Sequence, residues 1–260
     1  MIKNLLKLEW NKIKYPYLIS LGVGILYSCL IILPFISGYS YNHKIEIWQQ
    51  SNQVFDLIFP LLAVLPSCWL MYYERKNNFF IYNLTRVSKK KYIISKWLMT
   101  SIGSAMIIFV VSFAGLIFCL KFTNNVKLNA IKLNGYDTSL KEFYGYYLAN
   151  KPYLYGLILS VWRAVIGFII GTFGFVLSLY INNIFIILTG PFVYVFIESY
   201  MFAILGVPYY SIVTSFDPSI LIAKVISLKR ILVGPFLLIM VICIISIYFS
   251  CIKKKSIHYI

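Results

Sequence analysis

Few side chains in this sequence have the types and spacing that bond-making chemistry needs. The two histidines, His43 and His258, lie in separate polar segments, so no clustered His/Glu set for a catalytic zinc can be drawn. There is no GxSxG elbow, no HExxH helix and no GxxxxGK[ST] phosphate loop. These absences argue against enzyme chemistry in the chain itself and against ATP binding of the P-loop kind. Cys29, Cys68, Cys119, Cys243 and Cys251 form no CxxC pair and fall in or at the ends of apolar runs. They read as small packing residues. What remains is charge in unexpected places: Asp56, Arg163 and Glu198 each interrupt a long apolar run.

A charge near the bilayer centre costs at least ~2.5 kcal/mol and is kept where it pairs or faces a cavity. At a helical rise of ~1.5 Å per residue, Asp56 stands about 26 Å from Tyr73 and Arg163 about 26 Å from Tyr180. On the same rise, Glu198 stands about 21 Å from Ile184. The three groups therefore fall at similar depths. The expectation is that Arg163 pairs with Glu198, with Asp56, or with both. The alternative is that Asp56 and Arg163 reach the nearer interface by snorkelling.

The elements that must position these groups follow from composition. The chain is 60% hydrophobic and only 12% charged, half the charged share of a soluble domain. Its mean hydropathy is +0.81, so most of its length has no need of water. Six stretches are long enough to span a bilayer: Tyr15–Ser37, Val54–Tyr73, Trp97–Leu120, Tyr153–Tyr180, Ile184–Leu205 and Ile231–Ile252. The runs are continuous rather than alternating, which excludes a membrane β-barrel. The fold class expected is all-α integral membrane, a single transmembrane domain over residues 1–260.

An even number of spans puts both termini on one side. Lys and Arg are more than twice as dense in residues 1–14, 74–96, 181–183 and 253–260 as in 38–53, 121–152 and 206–230. The first set, with both termini, is therefore expected in the cytoplasm. This also accounts for the net charge of +16 without a nucleic-acid partner. Residues 1–14 carry Leu6, Trp10, Ile13 and Tyr17 on one helical stripe and Lys3, Lys7, Asn11 and Lys14 on the next. That pattern predicts an amphipathic elbow helix lying in the interface. Residues 121–152 are expected to form a small outer cap. Residues 206–230, with Ile220, Leu221, Val225 and Ile226 at helical spacing, predict a short outer helix, re-entrant in part. Gly167, Gly171 and Gly174 form a small-residue face that suits close helix packing, within the chain or between copies.

The connector 74–96 reads ERKNNFFIYNLTRVSKKKYIISK. It mixes positive charge with Phe79, Phe80, Leu84 and other apolar residues. A simple turn has no use for these, whereas a docking surface has an apolar core and a polar rim. The alternative is an interfacial helix on the headgroups. In this arrangement the chain resembles the permease subunit of type-2 ABC transporters, of the kind that serves bacteriocin or lantibiotic immunity or peptide export. The resemblance rests on the elbow, the six spans, and Glu74, Leu84, Arg86-Val87-Ser88, Lys91 and Lys96 around the connector. The family's small residues after the acidic position are replaced here by Arg75, Lys76, Asn77 and Asn78.

The resemblance implies a site for a cytoplasmic ABC ATPase, in two copies, on Glu74, Phe79, Phe80, Leu84, Arg86, Ser88, Lys91 and Lys96, with a second contact at Asn182 and Asn183. ATP and Mg would be bound by that partner; no cofactor is expected in this chain. A second permease copy or a homologous permease would complete a transporter in the bacterial plasma membrane. The substrate would be amphipathic or apolar, a peptide or antibiotic. A secondary transporter and a peptide-binding immunity or sensor protein are the alternatives.

Overall fold

In lipid, every backbone amide and carbonyl must find its partner within the protein, and helices satisfy this locally. The structure, a computed structural model, describes residues 2–38, 44–79, 87–122, 151–218 and 227–252. Among them there is helix and no strand. The helices are α1 (Ile2–Gly38), α2 (Lys44–Val64), α3 (Cys68–Lys76), α4 (Lys89–Phe122), α5 (Pro152–Tyr180), α6 (Ile184–Ile204), α7 (Ile212–Phe216) and α8 (Leu228–Ile247). A short 3₁₀ turn, Pro208–Tyr210, precedes α7, and a π turn, Tyr248–Ile252, follows α8. Six segments are long and apolar enough to cross a membrane, with α2 and α3 forming one of them.

The boundaries depart from the hydropathy reading in instructive ways. α1 is continuous from Ile2 to Gly38, so the first fourteen residues are not set off as a separate elbow. No stop residue separates Lys14 from Tyr15, and membrane helices tolerate a proline such as Pro16. The amphipathic stretch is still two-faced: Glu9, Ile13 and Tyr17 are buried, while Lys7 and Asn11 are exposed. α2 begins ten residues before the expected span. Its polar first turns are covered by the bundle, where Trp48 Nε1 donates to the Ser112 carbonyl at 3.2 Å and Gln49 Nε2 to Tyr155 Oη at 3.0 Å.

α2 and α3 meet at a break over residues 65–67, where Pro66 offers no amide to continue the ladder. α3 ends at Asn77 and Asn78; Asn78 takes a φ of 56°, a left-handed turn that asparagine accepts readily. α4 begins at Lys89, so Lys91 and Lys96 lie on a helix rather than in the connector. Residues 206–218 turn back into the bundle, where Ile212, Phe216 and Asp217 are fully buried. Residues 80–86, most of the loop 121–152 and residues 219–226 lie outside the described residues.

Helices in lipid gain little from apolar burial against one another, so close approach and packing hold them together. The small-residue face of α5 provides that approach inside the chain. A Cβ on Gly167 would meet Ile108, one on Gly171 would lie 2.5 Å from Ser104 Oγ and 3.2 Å from Ser101 Cα, and one on Gly174 would meet Cys68 and Val64. Gly171→Val is expected to force α4 and α5 apart and cost about 1–3 kcal/mol. A Cβ on Gly22 would meet nothing within 4 Å, so Gly22→Val is the control. Detergent unfolding curves for the two variants compare them directly. The central core runs between these helices through Phe55, Phe59, Ile108, Ile170, Ile212 and Phe216.

Candidate functional site

The charged side chains gather into two clusters at different levels of the bundle. The first joins the start of α1, the end of α3 and the start of α4. Lys96 Nζ lies 2.7 Å from Glu9 Oε2 and 2.5 Å from Glu74 Oε2. Lys12 Nζ lies 2.8 Å from Glu74 Oε1 and 3.3 Å from Glu9 Oε1. Two ammonium groups and two carboxylates thus alternate in a closed ring with no net charge. Tyr92 Oη also donates to Glu74 Oε2 at 2.5 Å. Three of the four charged side chains are at most 8% exposed; only Lys12, at 39%, reaches outward. Buried ions are tolerated when every partner is present, and the ring meets that condition.

Arg75 follows Glu74 directly and points elsewhere. Its guanidinium donates to the Leu179 carbonyl, to the Ile181 carbonyl at 2.7 Å and to Asn182 Oδ1 at 2.7 Å. The last carbonyls of a helix lack partners within it and sit at the negative end of its dipole. Arg75 therefore caps α5 from α3. Asn183 Oδ1 in turn accepts from the Phe185 amide at 2.9 Å and opens α6. Tyr180 stacks on Phe249 with ring centroids 5.0 Å apart. The start of α1, the ends of the connector, the α5–α6 turn and the end of α8 thus share one end of the bundle.

Of the residues expected at a docking surface, Glu74 and Lys96 meet in the ring, and Arg75 joins them to Asn182. Phe79, Ser88 and Lys91 are exposed. Phe80, Leu84 and Arg86 lie outside the described residues. Sequence reasoning missed Glu9, Lys12, Arg75 and Tyr92. The readable signals were a lone acid among the lysines of the first helix and an arginine where the resembling family carries a small residue.

The second cluster corrects an expectation. Arg163 pairs with neither Glu198 nor Asp56; its partner is Asp217, with Nη2 2.5 Å from Oδ2 and both side chains fully buried. Nη1 donates to Ser112 Oγ at 3.0 Å and Nε to the Phe216 carbonyl at 3.4 Å. The guanidinium carbon lies 4.8 Å from the Trp48 ring centroid and 5.2 Å from that of Phe216, both within cation–π range. Beside Arg163, Trp162 Nε1 donates to the Ser215 carbonyl at 2.7 Å. Glu198 instead accepts from the Ile212 amide at 3.0 and 3.2 Å. The spanning charges of α5 and α6 thus hold the two ends of α7. Hydropathy could not reveal this, because Asp217 sits in a stretch that reads as an outer connection.

These clusters contain no nucleophile beside a base. Among the described residues no three or more of His, Cys, Asp and Glu could hold a metal. None of the five cysteines forms a disulfide, and Cys68 and Cys119 are buried. The chemistry on offer is ionic: one cluster ties helix ends to the connections between them, and the other pins a re-entering turn. Comparison with protein-family models, curated proteins and solved structures finds no match for the chain.

Proposed function

We propose that this chain is the membrane-spanning subunit of an ATP-driven exporter, and that the end carrying the Glu9–Lys12–Glu74–Lys96 ring docks a separate cytoplasmic ATPase. The observation that carries this reading is Arg75. It links the connector after α3 to the α5–α6 turn, the two places where the resemblance to type-2 ABC permeases expects the ATPase to press. A push on the connector reaches Glu74 and Arg75 at once. Through the ring it is transmitted to α1 and α4, and through the cap to α5 and α6. Packed helices and buried ion pairs transmit such a displacement because they deform little. The excess of Lys and Arg at this end supports a cytoplasmic orientation for it.

A second copy or a homologous permease completes the exporter, and the cargo is an amphipathic or apolar molecule such as an antibiotic peptide. ATP and Mg belong to the partner. The test places photo-cross-linking residues at Phe79 and Asn183 in cells. Both are expected to capture the same nucleotide-binding protein, and Arg75→Met is expected to weaken both adducts. The purified chain alone is expected to hydrolyse no ATP. Adducts to lipid alone at both positions, or hydrolysis without a partner, would overturn the proposal.

A further inference from the structure

Asp56 has no part in docking an ATPase, yet it is one of the most completely buried side chains in the protein, at 0% exposure. Neither carboxylate oxygen has a hydrogen-bond partner among the described residues. Asn52, one turn earlier on the same face of α2, is 5% exposed, and its Nδ2 is likewise unpartnered. The helix carries Asp56 between Phe55 and Phe59. Both of those rings pack on Phe216, the residue before Asp217, with centroids 6.0 and 3.9 Å away. Asp56 therefore lies in the field of both Arg163 and Asp217.

Among the described residues the charges around it do not balance. Two carboxylates share one guanidinium, and the hydrogen bonds of Arg163 go to Asp217, Ser112 and the Phe216 carbonyl, none of them to Asp56. The other helices packed against α2 bring no second cation. α1 has no charged residue after Lys14, and α4 has none between Lys96 and Lys121. α6 brings Tyr194 and Glu198, the latter held on the Ile212 amide; α1 adds the phenol of Tyr27. A buried carboxylate is retained when a positive charge or a set of donors meets it.

We infer that Asp56, with Asn52 and Asp217 beside it, binds one monovalent cation, a proton or Na⁺, within the bundle. The bound cation supplies the second positive charge and brings the group to neutrality. This site stands independently of the ATPase proposal. It makes the re-entering α7 turn, held by Arg163 and Asp217, sensitive to the cation in the medium.

The experiment uses the full chain in lipid nanodiscs. Infrared spectra report the carbonyl stretch of a protonated carboxyl group. Thermal unfolding is followed in NaCl, KCl and choline chloride at equal ionic strength. A proton gives a protonated-carboxyl band that is lost in Asp56→Asn, with no preference among the salts. Sodium gives no such band but raises the unfolding midpoint selectively, and Asp56→Asn abolishes the rise. Asp217→Asn frees Arg163 to balance Asp56 alone, so either signature is expected to vanish although Asp56 remains. A wild-type chain with neither band nor cation-selective stabilisation would overturn the site, and that measurement needs no variant to fold. A signature that survives in Asp56→Asn would do the same.

Discussion

Arg163→Met is expected to remove most of the folded protein from the membrane. The substitution keeps much of the side-chain length but takes away the cation facing Asp217, whose carboxylate is fully buried. It also removes the donor to Ser112 and the cation between Trp48 and Phe216. Deleting one member of a buried ion pair costs about 3–5 kcal/mol. Whole domains are stable by only about 5–15 kcal/mol, so one such loss can decide whether the fold survives. The double change Arg163→Met with Asp217→Leu is expected to recover much of that loss, because an apolar pair of similar volume can replace a buried ion pair at little net cost. With Asp217→Leu alone added, unfolding in mixed micelles of the parent, the two single variants and the double variant closes a double-mutant cycle. A single variant as stable as the parent would show that the pair does not hold α7.

Lys96→Met is expected to be the next most damaging change, and its consequences differ. Lys96 is 3% exposed and lies between Glu9 and Glu74. Without it, Lys12 alone must face two carboxylates, and Lys12 reaches solvent. The cost is again set by an uncompensated buried charge, at the lower end of about 3–5 kcal/mol because water can enter beside Lys12. Adding Glu74→Gln removes the surplus negative charge and is expected to restore part of the stability. Lys91→Met changes an exposed residue five positions away on the same helix and is expected to leave the unfolding midpoint where it was. Under the proposed exporter function, Lys96→Met should uncouple the proposed partner: ATP hydrolysis continues while export falls. Parallel hydrolysis and export assays on reconstituted protein separate that outcome from simple loss of fold.

The ring and the α7 clasp share a logic. In each, a helix that spans the bundle carries one charge, and a segment distant in sequence carries the answer. Glu9 and Lys96 are 87 positions apart, and Arg163 and Asp217 are 54 apart. Neither partnership follows from helical periodicity, which links only residues three or four apart. The most informative residue proved to be Arg75. It stands where the resembling family carries a small residue. In the folded chain it caps α5 and ties the two connections at one end of the bundle.

The number of spanning helices, their approximate places and the absence of a hydrolase or phosphate-loop signature were legible in the residues themselves. Hydropathy, helical rise and motif spacing are local properties, and lipid leaves the backbone few alternatives to helix. The early start of α2 escaped that reading because Gln49, Ser51 and Asn52 are polar in composition yet buried on folding. The unbroken first helix escaped it because an amphipathic stretch looks the same whether it lies flat or continues into a span. Which charge meets which was decided only by tertiary structure. Burying an ion makes its partner obligatory, but any chain segment can supply that partner. Only the packing of α7 beneath Arg163 and of α1 beside α3 selects Asp217 and the Glu9–Lys12 pair.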